Sequence, residues 1–282
     1  MKLKLLSILI TILVVSYTLF LVLGQPSNDR SWLPELTKEP YAEISNQNGI
    51  QMVRLNNIRR TTYNEDSSVK LVEYYDEDFN VGDLAGIDYF VTPFGPKGVA
   101  HTILSFHFDK ANDSRWLALS VEARKEVGED YGLFKGMANQ YELIYIWADE
   151  ADVVKTRVQD RGDITYRYNL DLLEPEKARQ VFLQLVERTN ELADKPEFYH
   201  TIWNNCTIDL WQQLHQVFPD TLPWTWSAIF PEKSAQYLAE IRLISNPELP
   251  QFDRQVPVVA EEFLQSYSGI IRGYSSGEAL VE

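Results

Sequence analysis

Cysteine is all but missing from this chain. Of 282 residues only Cys206 carries a thiol, so no disulfide can form within the chain and no CxxC pair can hold a structural zinc. Histidine is scarce too, at four residues, none in an HExxH pattern, and nothing else in the sequence points to a metal or a cofactor. Positive charge is short: 26 Lys and Arg against 41 Asp and Glu leave a formal net charge of −15. With no basic patch interleaved with aromatics, nucleic-acid binding is set aside. Internal repeats and low-complexity tracts are absent.

What is present begins with a long apolar run. Lys2 and Lys4 precede Leu5 to Leu23, whose polar members are Ser7, Thr11, Ser16, Tyr17 and Thr18. As a helix rising ~1.5 Å per residue it just spans a ~30 Å hydrocarbon core. Lysines before the run favour a cytoplasmic N-terminus, which makes this a single-pass anchor with everything from Gln25 onward on the outer side. The competing reading is a cleaved signal peptide, but Ser16, Gly24 and Ser27 offer no good small-x-small site. The remaining chain suits one large domain, and a hydrophobic content of 45%, with seven Trp, fifteen Tyr and thirteen Phe, is ample for a core. The expected division is an anchor at 1–24, a surface linker at 25–40, the main domain at 41–218 and a helical extension at 219–282.

Strand-like stretches run over Gly49 to Ile58, Val69 to Tyr75 and Gly86 to Phe94. The clearest sheet signal is a hairpin of HTILSFHF, His101 to Phe108, and WLALSVEAR, Trp116 to Arg124. Alternation puts Thr102, Leu104, Phe106 and Phe108 on one face with Leu117, Leu119, Val121 and Ala123. His101, Ser105, His107, Ser120, Glu122 and Arg124 take the other, and a register that keeps the faces together sets either Glu122 or Arg124 beside His101. Tyr141 to Thr156 and Asp163 to Leu170 read as a further strand pair. The polar residues Tyr141, Tyr145, Asp149, Glu150, Asp152 and Arg157 read as a solvated strand end with ion pairs of little weight. The period then turns helical over Glu174 to Asp194 and again from Cys206 to Phe218, with short helices expected at Glu232 to Leu243 and Val259 to Tyr267. Trp224, Trp226 and Phe230 are either packing or the lining of a lipid-facing groove. The fold class is α+β, an antiparallel sheet with a packed helix.

The chemistry centres on FYHTIWNNCTIDLWQQL, Phe198 to Leu214. Asn204 or Asn205 as N-cap puts Cys206 in the first helical turn, where free amides and the helix dipole favour a thiolate. Those amides, with Asn205 or Tyr199 as a side-chain donor, suit an oxyanion. A nucleophilic thiol needs a base, and His101 is the first candidate because a strand neighbour can fix its tautomer. His107 is second, while His200 and His215 sit poorly. Glu122 either orients that imidazole or pairs with Arg124 or Arg115.

The runs WLPE, AHTILSF, LSVEARKE, QYELIYIWADEADVV and PEFYHTIWNNCT resemble a family of membrane-anchored proteins related to the N-terminal periplasmic domain of the lipoprotein N-acyltransferase Lnb. The resemblance covers Asn28 to Leu214. It implies a circularly permuted papain-like, NlpC-like thiol enzyme in which the histidine strand precedes the cysteine helix. Cys206 is then the nucleophile, His101 the base and Ser120 or Glu122 the orienting group; Asn205, Tyr199 and Arg124 are the candidates beside them for positioning substrate or oxyanion. It further implies acyl transfer through a thioester, with a membrane lipid or lipoprotein as partner. Cell-wall peptide cleavage and a non-enzymatic binding or assembly role, with Cys206 as core filler, are the alternatives.

Overall fold

The computed structural model describes residues 4, 6, 8, 10–16, 24–64, 68–95, 98–110, 113–220, 234–244, 255–259, 263 and 266–273. Its centre is an eight-stranded sheet: β1 Tyr41–Gln47, β2 Ile50–Tyr63, β3 Val69–Asn80, β4 Leu84–Pro93, β5 Ala100–Lys110, β6 Asp113–Arg124, β7 Glu142–Ala148 and β8 Tyr166–Asn169. The order is β1-β2-β7-β6-β5-β4-β8, with β3 paired to β2. All pairings are antiparallel except a single parallel contact of β2 with β7, Arg59 opposite Ala148. Asn48 and Gly49 join β1 to β2 with φ of 55° and 82°, the doubly positive two-residue loop that Asn-Gly favours. Strand β1 has one buried residue in seven, too little alternation to be seen in the sequence.

The central hairpin has the expected faces. Ile103 lies opposite Ser120 and Leu104 opposite Leu119, a register that, carried two residues on, brings His101 level with Glu122 rather than Arg124. One face carries Leu104, Phe106, Phe108, Leu117, Leu119 and Val121 beneath two helices, Pro175–Asp194 and Cys206–Val217. Phe182 is its hub, with ring centroids of Phe106, Phe108 and Trp147 at 5.3, 5.2 and 5.7 Å. Truncating such a ring costs about 3–5 kcal/mol. The other face packs Ile103, Ala118, Ile144 and Ile146 against Trp32, Leu36, Val153 and Val154, and against Val256, Val259 and Tyr267 from the C-terminal stretch. Covered on both sides, β7 is buried at every position and so shows an unbroken apolar run.

Several expectations are corrected. Residues 25–40 form a strap rather than a surface linker. Trp32 and Leu36 are buried, Asn28 Nδ2 donates to the carbonyls of Leu192 and Ala193 at 3.1 and 2.9 Å, and Ser27 N–H donates to Glu142 Oε1 at 3.1 Å. The strand expected to run on to Thr156 stops at Ala148. Glu150–Lys155 is an α-helix that widens into a π turn, Thr156–Asp160. Its polar residues are interior. Arg59 donates to both oxygens of Asp152 at 2.8 and 2.7 Å, and Arg272 to both of Glu150 at 2.8 and 2.6 Å. The described C-terminal helices are Ser234–Glu240, which ends short of the expected Leu243, and Tyr267–Ile270; most of the helix expected over Val259 to Tyr267 lies outside the described residues. Trp224, Trp226 and Phe230 lie outside the described residues. The described residues at positions 4 to 16 are helical, with exposed apolar side chains such as Ile10, Ile12, Leu13 and Val14. Among the described residues no helix is long and apolar enough to cross a membrane.

Candidate active site

Asn205 caps the cysteine helix. Its backbone is extended, at φ −120° and ψ 178°, and its Oδ1 accepts the amides of Thr207 and Ile208, both at 3.0 Å. Its Nδ2 donates to Thr201 O at 2.7 Å. The cap therefore takes two of the first-turn amides expected for an oxyanion and leaves the Cys206 N–H without a partner among the described residues. The side chain of Cys206 is buried, 7% exposed, with Thr207 Oγ1 at 3.8 Å from its sulfur. Beneath it, Asp209 is buried and accepts from Arg188 at 3.0 Å and from the Tyr145 hydroxyl. These bonds fix the first turn of the helix on the long helix and β7.

His101 faces a two-member relay. Its Nε2 is 2.8 Å from Ser120 Oγ, and that hydroxyl donates to Glu122 Oε1 at 2.9 Å. Burial pushes Glu122 up, but Arg59, His101, Arg157 and Arg161 outweigh it and draw the carboxyl down to about 2. An ionised carboxylate only accepts, so the single Ser120 proton goes to Glu122 and Ser120 Oγ must accept from His101. The relay thereby fixes the Nε2–H tautomer and leaves the lone pair on Nδ1, which makes no hydrogen bond among the described residues. Burial, reinforced by Arg157 and Arg161 and opposed by Glu122, holds His101 well below the usual imidazole range, so the ring is neutral near pH 7.

Strand and helix meet one residue along from each group, where Thr102 Oγ1 and Thr207 Oγ1 are 3.3 Å apart. Cys206 and His101 line one cavity of about 420 Å³, shared with Glu122, Asn205 and Tyr199. Sulfur and imidazole are not hydrogen-bonded to each other. Tyr199 and Tyr131 share a hydroxyl contact of 3.1 Å. Burial is the main cause that pushes both phenols up, so both stay protonated as donors.

Of the sequence candidates, Cys206, His101, Glu122, Asn205 and Tyr199 are on the cavity wall, with Ser120 directly behind. Arg124 is not. It is buried and spends its guanidinium on Leu36 O, Asn28 Oδ1 and Glu39, stacked 4.3 Å over Trp32, because it is the post to which the strap is tied. His107 stacks on Trp116 at 4.6 Å and His200 on Trp203 at 3.5 Å, both away from the cavity wall. Arg157, Arg161, Tyr131 and Thr201 line the cavity without having been singled out for it. For Arg157, Arg161 and Thr201 the one sequence signal was proximity to the EAD and NNC runs, and Tyr131 had none. Among the described residues no cluster of His, Cys, Asp and Glu could hold a metal ion.

A family model, the Lnb N-terminal periplasmic domain, matches residues 70–232, more than half of the chain. The chain belongs to that family. No curated protein and no solved structure matches it. The Lnb-domain match spans β3 to β8 and both large helices, so His101, the relay and Cys206 all fall within it.

Proposed function

We propose that this Lnb-domain protein is a periplasmic cysteine acyltransferase or hydrolase acting on lipid or lipoprotein acyl groups. In this reading residues 5–23 tether it to the inner membrane, and the domain is a circularly permuted papain-like thiol enzyme. The observation that carries the reading is the single cavity into which Cys206 and a neutral His101 with an unbonded Nδ1 both open. His101 Nδ1 takes the Sγ proton, the sulfur attacks the acyl carbonyl, and the Cys206 N–H with a tyrosine hydroxyl receives the oxyanion. The carbon–oxygen bond breaks, and the leaving alcohol takes the proton from the imidazolium. An amine or water, deprotonated by the same nitrogen, then resolves the thioester.

The surroundings of the cavity favour a bilayer substrate over a cell-wall peptide. Phe134, 84% exposed, and Trp203, 63% exposed, with Met137 and Ile202, stand on the two segments that also supply Leu133 and Thr201 to the cavity wall. Thr201 Oγ1 ties those segments together through Leu133 O at 2.8 Å. Exposed Trp and Phe of this kind sit well at a headgroup interface.

The test is intact-mass analysis of the protein purified from its own membrane and after exposure to acyl donors. A hydroxylamine-sensitive acyl adduct on Cys206, absent in Cys206→Ala and slowed at least ~100-fold in His101→Ala, is expected. A thiol inert to every activated acyl ester would leave Cys206 as core filler in a binding protein.

A further inference from the structure

The cavity beside Cys206 has the wrong charge for this protein. The chain is strongly acidic, at −15, yet three cations, Lys125, Arg157 and Arg161, line the cavity against two acids, Glu122 and Asp163. Glu122 is already engaged by Ser120. Among the described residues the buried arginines have counter-ions: Arg59 has Asp152, Arg124 has Glu39 and Arg188 has Asp209. Among the described residues Arg157 and Arg161 have neither an ion pair nor a side-chain hydrogen bond. Burial, then Arg161, pushes the Arg157 guanidinium down, with Glu122, Asp163 and Cys206 opposing. Two unpaired like charges, the half-buried Arg157 and the exposed Arg161, thus stand on one cavity wall, with Glu122 and Asp163 lining it but not ion-paired to either.

The backbone builds this arrangement. Arg161 N–H reaches back five residues to Thr156 O at 3.0 Å, and Asp163 N–H closes on Arg157 O at 2.8 Å. Such a wide turn sets positions 157 and 161 on one side of the segment, and π turns of this sort recur at functional sites. The preceding turn is pinned to the sheet, since Asp152 takes Arg59 and also the Thr61 amide at 2.8 Å.

We propose that Lys125, Arg157 and Arg161 form a subsite for a phosphate oxyanion and that the acyl donor is a phospholipid. Guanidinium forks match phosphate oxygens in pairs. A lipoprotein's diacylglyceryl group offers no phosphate, and its terminal ammonium is repelled by this wall. The inference rests on the thiol-enzyme reading. With the headgroup phosphate held there, Cys206 Sγ attacks the ester carbonyl, the ester carbon–oxygen bond breaks, and the lysophospholipid hydroxyl leaves with the proton that His101 carried. The phosphate itself is unchanged.

The experiment follows Cys206 acylation of the full chain in neutral detergent micelles by intact mass. The donors are dioleoyl phosphatidylglycerol and diolein, which have the same acyl chains with and without phosphate. The wild type should prefer the phospholipid by about 10- to 100-fold, the range expected for charge-assisted bonds. Arg157→Gln/Arg161→Gln should bring that ratio near one, and Arg157→Lys/Arg161→Lys should recover part of it, which a merely structural role would not. Equal rates with both donors, or a ratio unmoved in the Gln variant, overturn the proposal. Calorimetry with inorganic phosphate separates the sources and the two levels of the argument. Phosphate binding lost in the Gln variant, in a protein that no ester acylates, keeps the anion subsite while the thiol-enzyme reading and the phospholipid donor fall. Phosphate binding with no phospholipid preference assigns the subsite to a soluble phosphate and likewise removes the lipid donor.

Discussion

The Ser120 hydroxyl stands between an imidazole and a carboxylate, 2.8 Å from His101 Nε2 and 2.9 Å from Glu122 Oε1. Because Glu122 is ionised, one serine proton decides which nitrogen of His101 is free to act as a base. Serine here is a relay that transmits the charge state of the glutamate to the far side of the ring.

Removing the carboxylate should therefore cost more than removing its charge. In Glu122→Ala the serine can turn its proton to Nε2, leaving Nδ1 protonated and useless toward sulfur. A loss of about 10²–10⁴ in the acylation rate is expected, the scale seen when an orienting acid is lost. Glu122→Gln can still accept the serine proton through its amide oxygen and should fall less. Nitrogen-15 spectra of His101 report the tautomer directly, and an unchanged rate in Glu122→Ala would remove the relay from the mechanism.

The pH profile follows from the same pair. Since His101 is held below its ordinary value, acylation should hold level as pH falls through about 6.5 and decline only below it. Stability moves in the same direction. The unfolded chain takes up the histidine proton first, so the fold loses stability as pH drops below about 6.5. The depressed Glu122 contributes stability that is full above about 4.5 and is lost as pH falls through about 2. Urea titrations at several pH values should show both, and His101→Gln should erase the first.

Gly136 is placed by crowding rather than by backbone conformation. A Cβ there would lie 2.4 Å from Thr201 Oγ1 and 3.1 Å from Tyr199 Cε1. Gly136→Ala should displace Thr201 from Leu133 O and shift Tyr199 on the cavity wall, at a cost of about 1–3 kcal/mol. The expected result is a lowered Tm together with slower acylation. A variant that keeps both values would show that the two segments are free to separate.

The Arg59–Asp152 pair is buried at both ends, with side chains 5% and 0% exposed. Asp152→Asn should cost about 3–5 kcal/mol because it leaves a guanidinium inside without its counter-ion. An Arg59→Met/Asp152→Leu double variant should recover much of that loss, and thermal unfolding of the three proteins measures the difference.

The sequence carried the hairpin well. Alternation in β5 and β6 assigned the faces correctly, and the two large helices stood where apolar spacing placed them. Residue type alone narrowed the cap to Asn204 or Asn205, and the structure gives Asn205. What escaped was set by distant partners. Asp152 finds Arg59 93 residues away and Glu150 finds Arg272 122 residues away, so local reading took an interior ion-pair helix for a wet strand end. Arg124 misled in the same way, since its alternation placed it near His101 while Glu39 and Trp32, far upstream, drew it off. Strand β1 hid because its side chains face water, although Asn48-Gly49 announced its turn.

On the anchored reading proposed above, the strap at Ser27–Leu36 also limits how far the domain can travel from the membrane. Ser27 is pinned to Glu142, Ser31 O accepts the Val127 amide at 2.7 Å, and Leu33 N–H donates to the carbonyl of Lys125, itself a cavity residue. Only Gly24, Gln25 and Pro26 separate that clamp from the apolar run. Extended, three residues reach about 10 Å. Tethered as proposed above, a domain on so short a leash is held against the lipid surface, where a substrate seated in the bilayer is within easy reach.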